Sequence, residues 1–342
     1  MVLQFIGSFV NKMPPKTTTQ RAELHTHLGA SVDPPLLWDI AHRQGIKLPG
    51  KTYWDFEDLI TMTGKDRNRS LEDMDKHFFH WTELIQSSPE AVEESVKSVI
   101  GGGYRACNLV LQELRFNPMK RNRGGERDLD HIIMSAIWGL DKATLEYPQV
   151  KAGIILMMDR TLSFKQNEII VKKAIKYKPQ GIIGIDLAGP WRKNFDMKQH
   201  APLFAMARKA GLGITVHTGE EGNLEEMRFV VKEIKPDRVG HGILCYKDSQ
   251  LMKQIVKNKI TLEICPTSNL RNSVLKNVEE LRTAVRALVK NRVRFTINTD
   301  GPEMYSTNIY EEQEFLRREK ILSTAEIAAC TRWAFEASFI RN

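Results

Sequence analysis

Three observations in the amino-acid sequence predict an α/β fold, a (β/α)8 TIM-type barrel with a helical insertion after its first strand. Eight apolar runs of strand length recur along the 342 residues, most of them followed by a longer helical pattern. Such alternation is the signature of βα units wound into a parallel sheet. Histidines and a carboxylate end several of those runs, on the face where barrels build their sites. Neither GxGxxG nor GxxxxGK[ST] occurs, so a doubly wound open sheet would lack its phosphate loop.

Taken in order, the first strand is expected over residues 22–28 (AELHTHL). A helical insertion follows, with a capped amphipathic segment at 34–44 and two or three helices within 54–88. A helix over 91–102, stopped by Gly101, Gly102 and Gly103, leads to strand two at 108–116. Apolar spacing then gives a helix at 128–147, strand three at 151–160, a helix at 164–177 and strand four at 181–187. Strand five, residues 213–217, follows a helix at 197–210; its β-branched Ile214 and Val216 run into the turn signal Thr218-Gly219. A helix at 223–234 precedes strand six at 238–241, and one at 249–257 precedes strand seven at 260–265. A helix at 278–290 introduces strand eight at 292–299, and helices at 309–319 and 324–338 close the chain. The segment MVLQFIGSFVNKMPPK reads as a short helix ended by Pro14-Pro15, too short to span a bilayer and without the basic start of a signal peptide. One domain over residues 1–342 is expected, with 1–20 as lead-in and 34–90 as insertion and lid.

Composition fits a soluble globular protein, with 42% hydrophobic and 27% charged residues. Cys107, Cys245, Cys265 and Cys330 form no CxxC pair and read as reduced thiols of a cytoplasmic protein. A net charge of +8 suits nucleic acid, an anionic substrate or a basic solvated surface. The densest basic run, KRNRGGER at 120–127, contains glycines and no aromatics, and no nucleic-acid-binding motif occurs. Neither a nucleic-acid nor a membrane partner is expected.

Strand one ends with His25 and His27, strand five with His217, strand six with His241 and strand eight with Asp300. Residues two apart on a strand share a face, so His25 and His27 both point into the barrel. With His217 and Asp300 they form a donor set without thiolate, suited to a catalytic divalent ion: Zn²⁺ first, with Mn, Fe or Co as alternatives. Bound Zn²⁺ lowers the pKa of its water to about 7. His241 is then placed to orient that water, Asp300 to accept its proton, and Glu220, three residues after His217, to act as general acid on a substrate atom.

His25-Thr26-His27, GIDLAG at 184–189, VHTGE from Val216, GHG from Gly240, CPTSN from Cys265 and NTD ending at Asp300 together resemble the adenosine deaminase family. The motifs stand in that family's order from residue 22 onward. The resemblance implies a metallo-dependent hydrolase barrel with one zinc per chain on His25, His27, His217 and Asp300. It also implies a small purine substrate, attack of metal-bound hydroxide on C6 of a 6-aminopurine, Glu220 protonating N1, His241 assisting the hydroxide, and loss of ammonia. Gly189 matches the glycine whose backbone N–H contacts the purine. The HxE and PCxxC signature of other zinc deaminases is absent.

Two substrate positions depart from the family. After the HxHL segment an aspartate that reaches the sugar is usual; here stand Gly29 and Ala30. After the metal-binding aspartate a second one that bonds N7 is usual; here stands Gly301. Each lost charged hydrogen bond is worth roughly 1.5–3 kcal/mol. Either the two glycines make room for a bulkier or differently charged substrate, such as a 5′-substituted adenosine or an adenine nucleotide, or neighbours such as Glu303 and Asn308 replace the contacts. Adenine and non-purine substrates remain further alternatives, as does a silent binding protein that has kept the barrel. Phe56, Leu59, Phe78, Phe79 and Trp81 offer the insertion an apolar surface over a nucleobase, while His77 and His80 read as surface or lid residues. Arg115 and Arg160 fit an anion site or buried ion pairs with Glu113 or Asp159.

Overall fold

The apolar runs fold as eight strands, each parallel to the next and paired in chain order: β1 Arg21–His27, β2 Leu109–Phe116, β3 Lys151–Asp159, β4 Ile182–Ala188, β5 Gly213–Thr218, β6 Arg238–His241, β7 Thr261–Ile264 and β8 Phe295–Ile297. A computed structural model describes residues 18–62, 71–122, 128–192, 194–221 and 224–340. The expected lead-in helix, part of the insertion and most of the basic run lie outside the described residues. Helices cover the outside of the sheet and side chains fill its inside, so a strand such as β2 is buried at every position and reads as a continuous run. Closure is made just past β8: Thr26 bridges Asp300, whose N–H donates to the His25 carbonyl while His27 N–H donates to that of Asp300. Glu23 adds a side-chain clasp by accepting from Thr299 N and Oγ1, each at 3.1 Å.

Helix starts follow local capping chemistry. Ser163 and Ser323 form capping boxes with Gln166 and Glu326 at the heads of Phe164–Tyr177 and Thr324–Ala337. One expected stop is corrected. The helix Pro89–Cys107 runs through all three glycines and ends at Asn108, which takes the left-handed conformation. Tertiary packing overrides their weak helix propensity: a Cβ on Gly103 would stand 2.9 Å from Gln112 Oε1, and one on Gly101 2.8 Å from Tyr147. No helix among the described residues is long and apolar enough to cross a membrane, and all four cysteines are buried and unpaired.

The barrel interior is charged where branched aliphatics are usual. At its amino-terminal floor Arg238 pairs with Glu113 and, at 2.6 Å, with Glu263. Glu113 also accepts from Ser338 Oγ and Phe339 N. The Phe339 ring lies 3.5 Å from the Arg238 guanidinium carbon and against β5, where a Cβ on Gly213 would stand 2.2 Å from it. The last helix therefore delivers an aromatic plug to the floor, leaving the opposite end open.

Candidate active site

At the open end the strand tips bring four expected side chains together. His27 Nε2 lies 3.0 Å from His217 Nε2 and 3.3 Å from Asp300 Oδ1, and His25 Nε2 lies 3.6 Å from the same oxygen. Burial pushes the His27 imidazole well below its ordinary range, which leaves it neutral, the form that ligates metals. Burial opposes charge on Asp300, but its contact with His25 and the nearby His241 hold its carboxyl well below the usual range. His25 Nε2 is buried without a hydrogen-bond partner, a costly state for a polar atom unless a ligand fills it. Converging imidazole nitrogens, a carboxylate and an orphaned donor atom fit a divalent cation.

Two of the histidines are each aimed by a second carboxylate. His25 Nδ1 meets Glu263 at 2.7 Å, and His217 Nδ1 meets Asp186 at 2.9 Å. Arg115 lies between them, donating to Asp186 and Glu263 at 2.9 Å each and to the Leu24 carbonyl. Burial works against the charges, yet Arg115 and Arg238 hold Glu263 well below its usual range, while His217 and Arg115 do the same for Asp186. Such outer partners fix the ring orientation and tautomer of a ligating histidine. Arg115 is thus the buried ion-pair residue of the two alternatives, though with Asp186 and Glu263 as partners. Arg160 likewise pairs with Glu226 at 2.6 Å and donates to the His217 and Gly189 carbonyls.

The helix Pro266–Arg271 went unread in the sequence. It places Ser268 Oγ 2.6 Å from Asp300 Oδ2 and Asn269 Nδ2 2.9 Å from His241 Nδ1. With Asn269 donating there, the His241 proton sits on Nε2, which faces Glu220 at 3.1 Å. His241 and Asp300 both take left-handed backbone angles, φ 55° and 68°. Such strain costs on the order of 1–3 kcal/mol per residue and persists where surroundings over-determine it. The head of this helix is held by Glu312, which accepts from Thr267 N at 3.2 Å and Thr307 Oγ1 at 3.0 Å. Burial raises the Glu312 carboxyl from 4.5 to about 7. An acid raised on folding stabilises fully below its unfolded pKa and loses that contribution as pH climbs toward its folded one. Glu312→Gln is therefore expected to remove a stability loss of up to about 3 kcal/mol between pH 5 and 7, read by urea unfolding at both pH values.

Above these groups opens a cleft of about 710 Å³, counting its mouth. His27, His217, Glu220, His241, Asp300 and Gly189 all line it. Gly189 has φ +86°, and a Cβ there would stand 2.6 Å from Asp159, so both backbone angle and space demand glycine. Gly29 lines the cleft, but its missing side chain leaves no void: a Cβ would meet Arg121 Nη2 at 3.0 Å and Phe79 at 3.3 Å. The expectation for Gly301 is corrected. It is not among the cleft-lining residues, and a Cβ there would meet Ala30 Cβ at 2.4 Å, so it makes room for the protein itself. Neither Glu303 nor Asn308 lines the cleft, and Asn308 caps the helix Ile309–Arg318. From the insertion, Phe79 and Met74 line the cleft, whereas Phe56 and Phe78 are buried in the packing beneath; His77 and His80 are exposed.

Comparison with known proteins bears on this geometry. The family model described as adenosine deaminase matches residues 20–342. An adenosine deaminase of Shewanella loihica is 29% identical, covering 95% of this chain and 96% of its own length. One from Clostridium kluyveri is 27% identical, covering 96% and 90%. Among solved structures, the ADAL–IMP complex superposes with a TM-score of 0.81 at 26% identity, covering 94% of this chain and 92% of that one. The chain belongs to the adenosine deaminase family and is a metal-dependent aminohydrolase acting on C–N bonds.

Proposed function

We propose that this chain is a zinc-dependent hydrolytic deaminase of a 6-aminopurine compound, adenosine or a derivative of it, that releases ammonia. The observation that carries the reading is the convergence of His25, His27, His217 and Asp300 beneath a cleft that also presents Glu220 and His241. Zinc held by those four would supply a Lewis acid that makes water nucleophilic at neutral pH. Asp300, fixed by Ser268, takes the proton of the attacking water. His241, fixed by Asn269, donates from Nε2 to the oxygen that adds to C6. Glu220 in its acid form protonates N1, so that C6 becomes electrophilic; the proton taken by Asp300 passes to the amino group, which departs as ammonia, and the C6 hydroxyl proton returns to Glu220 as the carbonyl forms. Gly189 lets the purine approach the backbone, and Phe79 and Met74 of the insertion cover it. Unpaired buried cysteines suit a cytoplasmic setting, and the insertion is read as the lid of a single barrel domain.

A second reading, an adenine nucleotide as substrate, is favoured by the IMP carried by the ADAL structure. Amine release, ammonia from adenosine, deoxyadenosine, adenine and AMP and methylamine from N6-methyl-AMP, separates the readings when measured on zinc-loaded and chelator-treated protein. Release from adenosine that chelation abolishes and zinc restores is the expected result. Zinc-loaded protein that releases neither ammonia nor methylamine from any of them would overturn the purine assignment.

A further inference from the structure

Gly189, Pro190 and Trp191 follow β4 at the open end of the barrel, and what holds them comes from neighbouring strands. Gly189 and Pro190 line the cleft. Proline has no N–H to give, and among the described residues the Gly189 N–H meets no acceptor, which leaves it for a ligand. Two polar ties fix the segment. Arg160, just past β3, donates to the Gly189 carbonyl at 3.2 Å and to the His217 carbonyl at 2.6 Å, and is itself held by Glu226 at 2.6 Å. At the other end a Glu221 carboxylate oxygen accepts from Trp191 N–H at 3.0 Å. Both ties lead to the tip of β5 and the turn that follows it, where His217 and Glu220 stand.

The segment is not packed down on that tip. A small cavity of about 290 Å³, counting its mouth, separates them, with Gly189 and Trp191 on one side and Thr218, Glu220 and Glu221 on the other. The Trp191 side chain is half exposed. Backbone seated over a hollow takes its position from its hydrogen bonds.

Resting on the deaminase reading above, we infer that Glu221 is a positioning residue: by holding Trp191 N–H it sets the Gly189 segment, and with it the purine ring, in register with Glu220. Glu221 is not among the cleft-lining residues, so it acts through the backbone and not on the substrate. Glu220 is its direct neighbour in the chain. The ring seated against Gly189 and the acid that protonates it therefore take their positions from one short stretch, and a misplacement of about 1 Å between such groups costs on the order of a hundredfold in rate. With the Glu221 tie gone, Arg160 would hold the segment at one end alone. The tie needs an acceptor and not a charge, and a glutamine Oε1 accepts the same N–H.

Glu221→Ala and Glu221→Gln test this together. Glu221 is partly exposed, so both variants are expected to fold and to keep one zinc per chain. Calorimetry with hypoxanthine on the zinc-loaded proteins reads the seating of the ring without turnover, and amine release from the preferred purine reads its alignment. Glu221→Ala is expected to bind hypoxanthine about tenfold more weakly and to lose about ten- to a hundredfold in kcat/KM. Glu221→Gln is expected to bring both values back toward the wild type. Equal losses in the two variants would overturn the inference, because the charge and not the acceptor would then matter. Wild-type binding and turnover in Glu221→Ala would overturn it too, as would a loss that follows a fall in zinc content. Failure of the deaminase reading appears elsewhere, as wild-type protein that releases no amine from any purine in the activity panel.

Discussion

Glu220→Gln lowers kcat by about 10²–10⁴-fold on the preferred purine, while the protein still binds one zinc per chain. Glutamine keeps the shape of the side chain and its contact with His241, 3.1 Å in the native protein, but has no acidic proton to give to N1. Glu220 meets none of His25, His27, His217 or Asp300 in the ion pairs around the candidate metal site, so the donor set stays intact. Metal content by atomic absorption, alongside ammonia release, separates the two effects. A variant with full activity would remove Glu220 from the chemistry, and one that lost zinc would place it among the ligands instead.

Arg115→Met acts on both stability and metal. The guanidinium is the shared partner of Asp186 and Glu263, all three with fully buried side chains. Taking one partner out of a buried charge network costs about 3–5 kcal/mol, because the remaining charges lie uncompensated. The same carboxylates aim His217 and His25, and loss of such orienting contacts lowers metal affinity by roughly 10–100-fold. Urea unfolding of the metal-free protein reads the first effect, and competition with a chelator of known affinity reads the second. If metal affinity holds while stability falls, Arg115 is a structural ion-pair partner with no part in aiming the ligands.

The sequence shows its chemistry where local pattern and strand order suffice. Residues 238–241 read as a strand and are β6, and His25 and His27 at the tip of β1 are assigned to one face from the two-residue repeat alone. What local pattern cannot convey is which distant residue fills a given space. Gly29 and Gly301 look alike as missing aspartates, yet one abuts Arg121 and the other Ala30, contacts between segments far apart in the chain. Glu263 and Asp186 carry a signal in the sequence: each is the one charged residue of its strand, and such a residue needs a buried cation or imidazole opposite it. The helix through Gly101–103 is not legible because propensity is weak beside the close packing that Gly101 and Gly103 permit.

The plug at the barrel floor also sets a timetable. β4 and β5 leave the ribosome with Gly184 and Gly213 bare, and Glu113 and Arg238 wait for partners that Ser338 and Phe339 bring much later. At ordinary rates of synthesis the interval from Gly213 to Phe339 is on the order of ten seconds. The buried charges at the floor thus gain Ser338 and Phe339 as partners only once the last helix and the residues after it have been made.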